Sequence, residues 1–116
     1  MTVEKLKTRT RTFGLRVIRL VESLPMTRTA DVIARQLLKC GTSVGANYRA
    51  ACRAKSQADF IAKMGIVEEA DESAYWMEMI LEAGLVRKEK LADLLDEANQ
   101  LVAIAVSSIR TAKRNR

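Results

Sequence analysis

The chain has no histidine, one proline, two cysteines and only five aromatic residues among 116. Without histidine there is no Ser-His or Cys-His nucleophile pair, no Glu-x-x-His di-iron site and no His-containing zinc site. Two cysteines are too few for a structural zinc centre. On one helix Cys40 and Cys52 would stand roughly 18 Å apart, beyond the reach of a disulfide. They read as reduced, small core residues of a cytoplasmic protein. The stretch Cys40–Asn47 is rich in Gly, Ser and Ala but holds neither GxGxxG nor a Walker signature, so no phosphate loop is expected. No apolar run approaches the roughly 20 residues of a membrane span. Met1 to Arg11 lacks the apolar core of a signal peptide. No enzyme activity, cofactor or membrane partner is expected.

The residues that are abundant favour helices. Ala, Leu, Glu, Lys and Arg dominate, and chain-breakers are few. Helix 1 is expected from about Glu4 to Leu24, with Leu6, Phe13, Val17, Leu20, Val21 and Leu24 at helical spacing and Pro25 ending it. Helix 2 is expected from about Thr29 to Ala54 on Ile33, Leu37, Cys40, Val44, Tyr48 and Ala51. Gly41 and Gly45 weaken it by about 1 kcal/mol each. It reads as continuous with a kink, and a break at Gly41 is the alternative. Helix 3 is expected to start after Ser56, which with Asp59 resembles a capping box, and to run to Gly84, a natural C-terminal cap. Its stripe is Phe60, Met64, Val67, Ala74, Met77 and Leu81. Helix 4 is expected from about Lys88 to Ala112 on Leu91, Leu94, Ala98, Leu101, Ala105 and Ile109. The fold class is therefore all-α, a single domain over residues 1–116. Short connections imply an antiparallel up-down-up-down four-helix bundle.

Helix 3 carries more apolar residues than one core-facing stripe needs. Tyr75, Trp76, Met77, Met79 and Ile80 spread over more than half its circumference. Tyr75, Trp76, Met79 and Ile80 are candidate subunit-interface residues, with Trp76 lying flat at a half-buried edge as the plainer reading. The same helix holds Glu68, Glu69, Asp71 and Glu72, of which Glu68 and Glu72 repel at i, i+4. Hydrogen bonds and ion pairs within or between subunits are expected there before a carboxylate metal site. A turn near Ser56 would place Arg35 level with Glu78 and the acidic run opposite Thr42 to Gly45.

Charge is unevenly spread within a net +6. Residues 1–58 carry 12 Lys and Arg against 3 Asp and Glu, residues 59–109 carry 4 against 11, and the last seven carry 4 against none. In the up-down-up-down order the N-terminus, the helix 2–3 turn and the C-terminus share one end. That end gathers Lys5, Lys7, Arg9, Arg11, Arg53, Lys55, Arg110, Lys113, Arg114 and Arg116, opposed nearby by Glu4 and Asp59. On helix 1, Lys5, Arg9 and Arg16 form a stripe. These eleven cations are the candidate nucleic-acid-binding residues, suited to phosphate contact that is salt-dependent and largely indifferent to sequence. No aromatic lies among them to stack on bases, so duplex nucleic acid or folded RNA fits better than an extended single strand. Part of the cluster has a plainer use. Arg110, Lys113 and Arg114 suit a helix C-terminus, and flanking Arg residues can pair with a neighbour's acidic helix.

The stretch Gln36-Leu37-Leu38-Lys39-Cys40-Gly41-Thr42-Ser43-Val44-Gly45-Ala46-Asn47-Tyr48-Arg49-Ala50-Ala51 resembles the central signature of the 23S rRNA-intervening sequence proteins. Ala54 to Met64 is similar to its second half, and Glu68 to Trp76 to the acidic start of its third-helix core. Ala50-Ala51 stand where members often carry a Glu. The resemblance implies a four-helix bundle that forms a homopentamer. One branch is similar to the accessory variability determinant of diversity-generating retroelements, which implies a basic protein that binds RNA or DNA and associates with a reverse transcriptase. The expectation is thus a non-enzymatic, cytoplasmic, homo-oligomeric bundle that binds nucleic acid through a basic end. The alternative is a structural or protein-interaction scaffold with no nucleic-acid binding.

Overall fold

Three helices begin where a short polar side chain caps the first turn. In the computed structural model, which describes residues 1–115, Thr2 Oγ1 accepts the Lys5 N–H at 3.1 Å and opens α1 (Val3–Glu22). Thr27 Oγ1 accepts the Ala30 N–H at 3.2 Å and opens α2 (Arg28–Cys52). Ser56 Oγ accepts the Asp59 N–H at 3.0 Å and opens α3 (Gln57–Lys63). Two further helices, α4 (Ile66–Glu82) and α5 (Lys88–Arg114), start without a side-chain cap. Glu68 and Glu69 in the first turn of α4 suit its positive N-terminus. Among the described residues every regular element is helical. Four long helices and one short one surround a single core in a rod of 48 × 21 × 20 Å.

The expected apolar stripes of the first, second and last helices are the ones that face inward. Leu6, Phe13, Val17 and Leu20 of α1 meet Ile33, Leu37, Cys40, Val44 and Tyr48 of α2. Leu91, Leu94, Ala98, Leu101 and Ala105 supply α5. Around the rod, α1 packs on α2, α2 on α4, α4 on α5 and α5 on α1.

The third helix differs from its expected course. It is interrupted at Met64-Gly65, where the Met64 N–H bonds the Phe60 and Ile61 carbonyls and Gly65 caps the restart. On one unbroken helix Met64 and Ile80 would stand about 160° apart. The break resets the phase, so both are buried in the core. The inward stripe of α4 becomes Ile66, Ala70, Ser73, Ala74, Met77 and Ile80, while Phe60, Val67 and Leu81 sit half-buried beside it. Ile80, expected at a subunit interface, is fully enclosed by its own chain and has no surface left to offer.

Helix α2 runs unbroken through Gly41 and Gly45. Both glycines lie where it comes close to α1. A Cβ on Gly41 would lie 2.8 Å and 2.9 Å from the two Val17 methyls, and one on Gly45 would lie 3.3 Å from the Thr10 backbone. Thr10 is buried at this seam and bonds the Leu6 carbonyl of its own helix at 2.9 Å. Small residues here let two backbones approach more closely than larger ones allow. Against α4, Ser73 Oγ sits 3.3 Å from Cys40 Sγ and bonds Glu69 O at 2.7 Å. Burial pushes the Cys40 thiol up. Both cysteines are free thiols.

The end of α4 follows its sequence signal. Gly84 takes φ +69°, its N–H bonds Leu81 O at 3.1 Å, and the Leu85 N–H bonds Ile80 O at 3.1 Å. This pair of bonds is a Schellman cap, which needs a left-handed residue that glycine supplies without strain.

Candidate nucleic-acid interface

Three stretches distant in sequence line one hollow of about 560 Å³: the chain start and first turn of α1 (Met1, Thr2, Val3 and Leu6), the α2–α3 turn (Ala54 to Gln57) and late α5 (Ile104 and Ser108). Tyr48 and Cys52 border it, and burial with the Cys52 thiol nearby pushes the Tyr48 phenol up to about 12. Lys55 stands at its rim. Two residues beyond Ser108, Arg110 opens a basic run with Lys113 and Arg114 along one face of α5, beside Ala103, Val106 and Ser107. A second groove, of about 670 Å³, lies between α1 and α2. Lys7, Arg11, Arg49 and Arg53 border it, with Glu4 as the acidic member.

Lys5, Arg11, Arg53, Lys55, Arg110, Lys113 and Arg114 make no ion pair among the described residues. Lys7 reaches Glu4 at 3.5 Å across an exposed i, i+3 spacing, which stabilises little. Arg16 is half-buried and stands roughly 14 Å of helix rise beyond Lys7. Arg116 lies outside the described residues.

Arg9 departs from its expected role. Its Nε and Nη2 each donate to Glu97 at 2.6 Å, and Nη2 also reaches Gln100 Oε1 at 2.6 Å. The Glu97 hydrogen bonds raise the Arg9 pKa, with burial opposing. This bidentate, part-buried pair ties α1 to α5 and neutralises Arg9 as a phosphate contact. Glu97 went unanticipated because its partner lies 88 residues away and no local spacing marks it. Arg49 was also missed, although its i, i+4 relation to Arg53 places both on one face of α2.

The acidic run forms no ion pair among the described residues. Glu72 accepts the Trp76 Nε1–H at 3.1 Å, and Arg35 pairs with Asp31 at 3.1 Å, not with Glu78. No cluster of three or more Cys, Asp or Glu side chains that could hold a metal ion occurs among the described residues. No helix among them is long and apolar enough to cross a membrane. Of the candidate interface residues, Tyr75 is 52% exposed, Met79 38% exposed and Trp76 half-buried, its ring edge-on to Tyr75 at 5.0 Å.

Comparison with known proteins adds three findings. No curated protein matches the chain. A protein of unknown function from the S23 ribosomal protein family of Bacteroides thetaiotaomicron, solved by crystallography, is similar at 31% identity and a TM-score of 0.83, over 93% of this chain and 98% of that one. The family model described as 23S rRNA-intervening sequence protein matches residues 5–107, and the chain, whose regular elements across that span are all helices, belongs to that family.

Proposed function

We propose that this chain is a non-enzymatic accessory protein of the cytoplasm that assembles with copies of itself and binds duplex or folded nucleic acid through one basic pole. The carrying observation is the convergence of the α1 start, the α2–α3 turn and late α5 around one hollow. That convergence supports up-down-up-down threading, as do Thr10 opposite Gly45 and Val17 opposite Gly41. Lys5, Lys55, Arg110, Lys113 and Arg114 then share an end with no acidic partner engaged. Phosphates are the anions that such a spread of flexible cations suits, because each contact releases counterions and needs no fixed geometry. The family resemblance supports a pentamer and a reverse transcriptase or other protein as a further partner. Titration of the whole chain against duplex DNA and a structured RNA at two salt concentrations tests the reading. Binding that falls steeply with salt is expected. No binding at low salt would leave the scaffold reading, which the internal use of Arg9 favours.

A further inference from the structure

Two exposed faces of this molecule are complementary to each other in both charge and apolarity. On α1, Lys7, Arg11, Leu15 and Ile18 fall within about 80° of arc, at spacings 4, 4 and 3. They run basic, basic, apolar, apolar along the wall of the α1–α2 groove. Leu15 is 46% and Ile18 39% exposed, and the i, i+3 spacing sets them side by side on the outer face of a helix whose inner face is packed. On α4, Glu68, Glu72, Tyr75 and Met79 fall within about 60°, at spacings 4, 3 and 4. They run acidic, acidic, apolar, apolar. Glu68 and Glu72 repel one another on their own helix, and no cation of the described chain meets them.

We infer that the α4 stripe of one copy seats in the α1–α2 groove of the next. Laid side by side in the same direction, Lys7 and Arg11 meet the partner copy's acidic pair, and Leu15 and Ile18 meet its exposed apolar pair. Gly14, Thr42, Gly45 and Ala46 complete the lining of the groove, and none of them carries a large side chain. Arg49 and Arg53 add charge at the same end. The two surfaces are different patches of one chain, so the contact is head-to-tail, and it closes into a ring when the rotation per copy divides the circle. Because the pairing is parallel, every copy points its basic pole to the same side of the ring. The inference rests on the proposed self-assembly and threading. It divides the cations between two tasks: the groove set holds the neighbour, and the pole set faces phosphate.

Sedimentation velocity of the full chain tests it with two variants, Lys7→Glu with Arg11→Glu, and Glu68→Lys with Glu72→Lys. Each variant places like charges across the contact, and association at least about tenfold weaker is expected, with the helical circular dichroism unchanged. A third variant that carries all four reversals restores opposite charges at every joint, whatever the number of copies, and is expected to assemble. A two-site variant that assembles like the unmodified chain, or a four-site variant that stays dissociated, overturns this contact while self-assembly stands. A monomeric unmodified chain overturns self-assembly itself, and this contact with it.

Discussion

At the scale of single residues, the same substitution has opposite consequences on the two sides of the α1–α2 seam. Gly41→Ala gains about 1 kcal/mol of helix propensity but drives a methyl to within 3 Å of both Val17 methyls, and Val17 is fully buried. Overpacking of that kind costs about 1–3 kcal/mol, so a net loss of stability is expected in urea unfolding. At Gly14 the new methyl meets Thr42 Cα at 3.6 Å, an ordinary contact. Gly14→Ala is expected to stabilise by up to about 1 kcal/mol. A stabilising Gly41→Ala would contradict the close seam. The sequence signalled that Gly41 and Gly45 are special, but not which atoms they make room for, since Val17 lies 24 residues away. Arg9 teaches the same point. Its position on a cationic stripe reads as a ligand contact, whereas its guanidinium is used up by Glu97. Arg9→Ala is expected to lower stability by about 1–3 kcal/mol, as for hydrogen bonds to charged groups, and to change nucleic-acid affinity less than a substitution at Lys113. A large affinity loss with unchanged stability would reverse that assignment.

At the scale of elements, periodicity and capping residues located α1, α2 and α5 to within about two residues. The short α3 shows what such signals miss. Ser56 was legible as a cap, and Asp59 as its partner, but the Asp59 carboxylate is a methylene shorter than the usual Glu. Its Oδ2 accepts the Lys55 N–H at 3.0 Å, one residue before the cap, and pairs with Lys63 Nζ at 3.0 Å. The Lys55 N–H and the Lys63 ammonium hold the Asp59 pKa below the usual carboxylate range. A folded value below the unfolded one means that this contribution to stability is present above the unfolded pKa and is lost as pH falls through the folded one. An NMR titration should therefore give Asp59 a midpoint below that of an unpaired aspartate, rising towards it in Lys63→Ala. A midpoint at or above that value in the unmodified chain would remove the cap. The interruption at Met64-Gly65 was not legible, because a lone glycine inside a helical pattern is usually tolerated. It is the element that decides Ile80: with the phase reset, this residue belongs to the core, and only Tyr75, Trp76 and Met79 retain surface for a neighbour.

At the scale of the whole molecule, the all-helical bundle was legible because four long amphipathic segments with short connections leave few ways to bury their apolar faces. The distribution of charge was legible as a tally along the chain. Its use was not, since a cation can serve its own fold, a neighbouring copy or a ligand, and the sequence spacing is alike in all three cases. The rod is 48 Å long and about 20 Å across, so the proposed basic pole spans a face about 20 Å wide. Phosphate binding at this end has a quantitative signature, the slope of log affinity against log salt concentration for a duplex. It is to be measured in the unmodified chain and in Arg110→Gln with Lys113→Gln and Arg114→Gln. Each phosphate that the variant no longer neutralises should reduce the steepness by about 0.9, so a slope shallower by about 2–3 is predicted, with assembly unchanged. An identical slope in the two proteins, or no binding by the unmodified chain at low salt, would contradict phosphate binding at this pole.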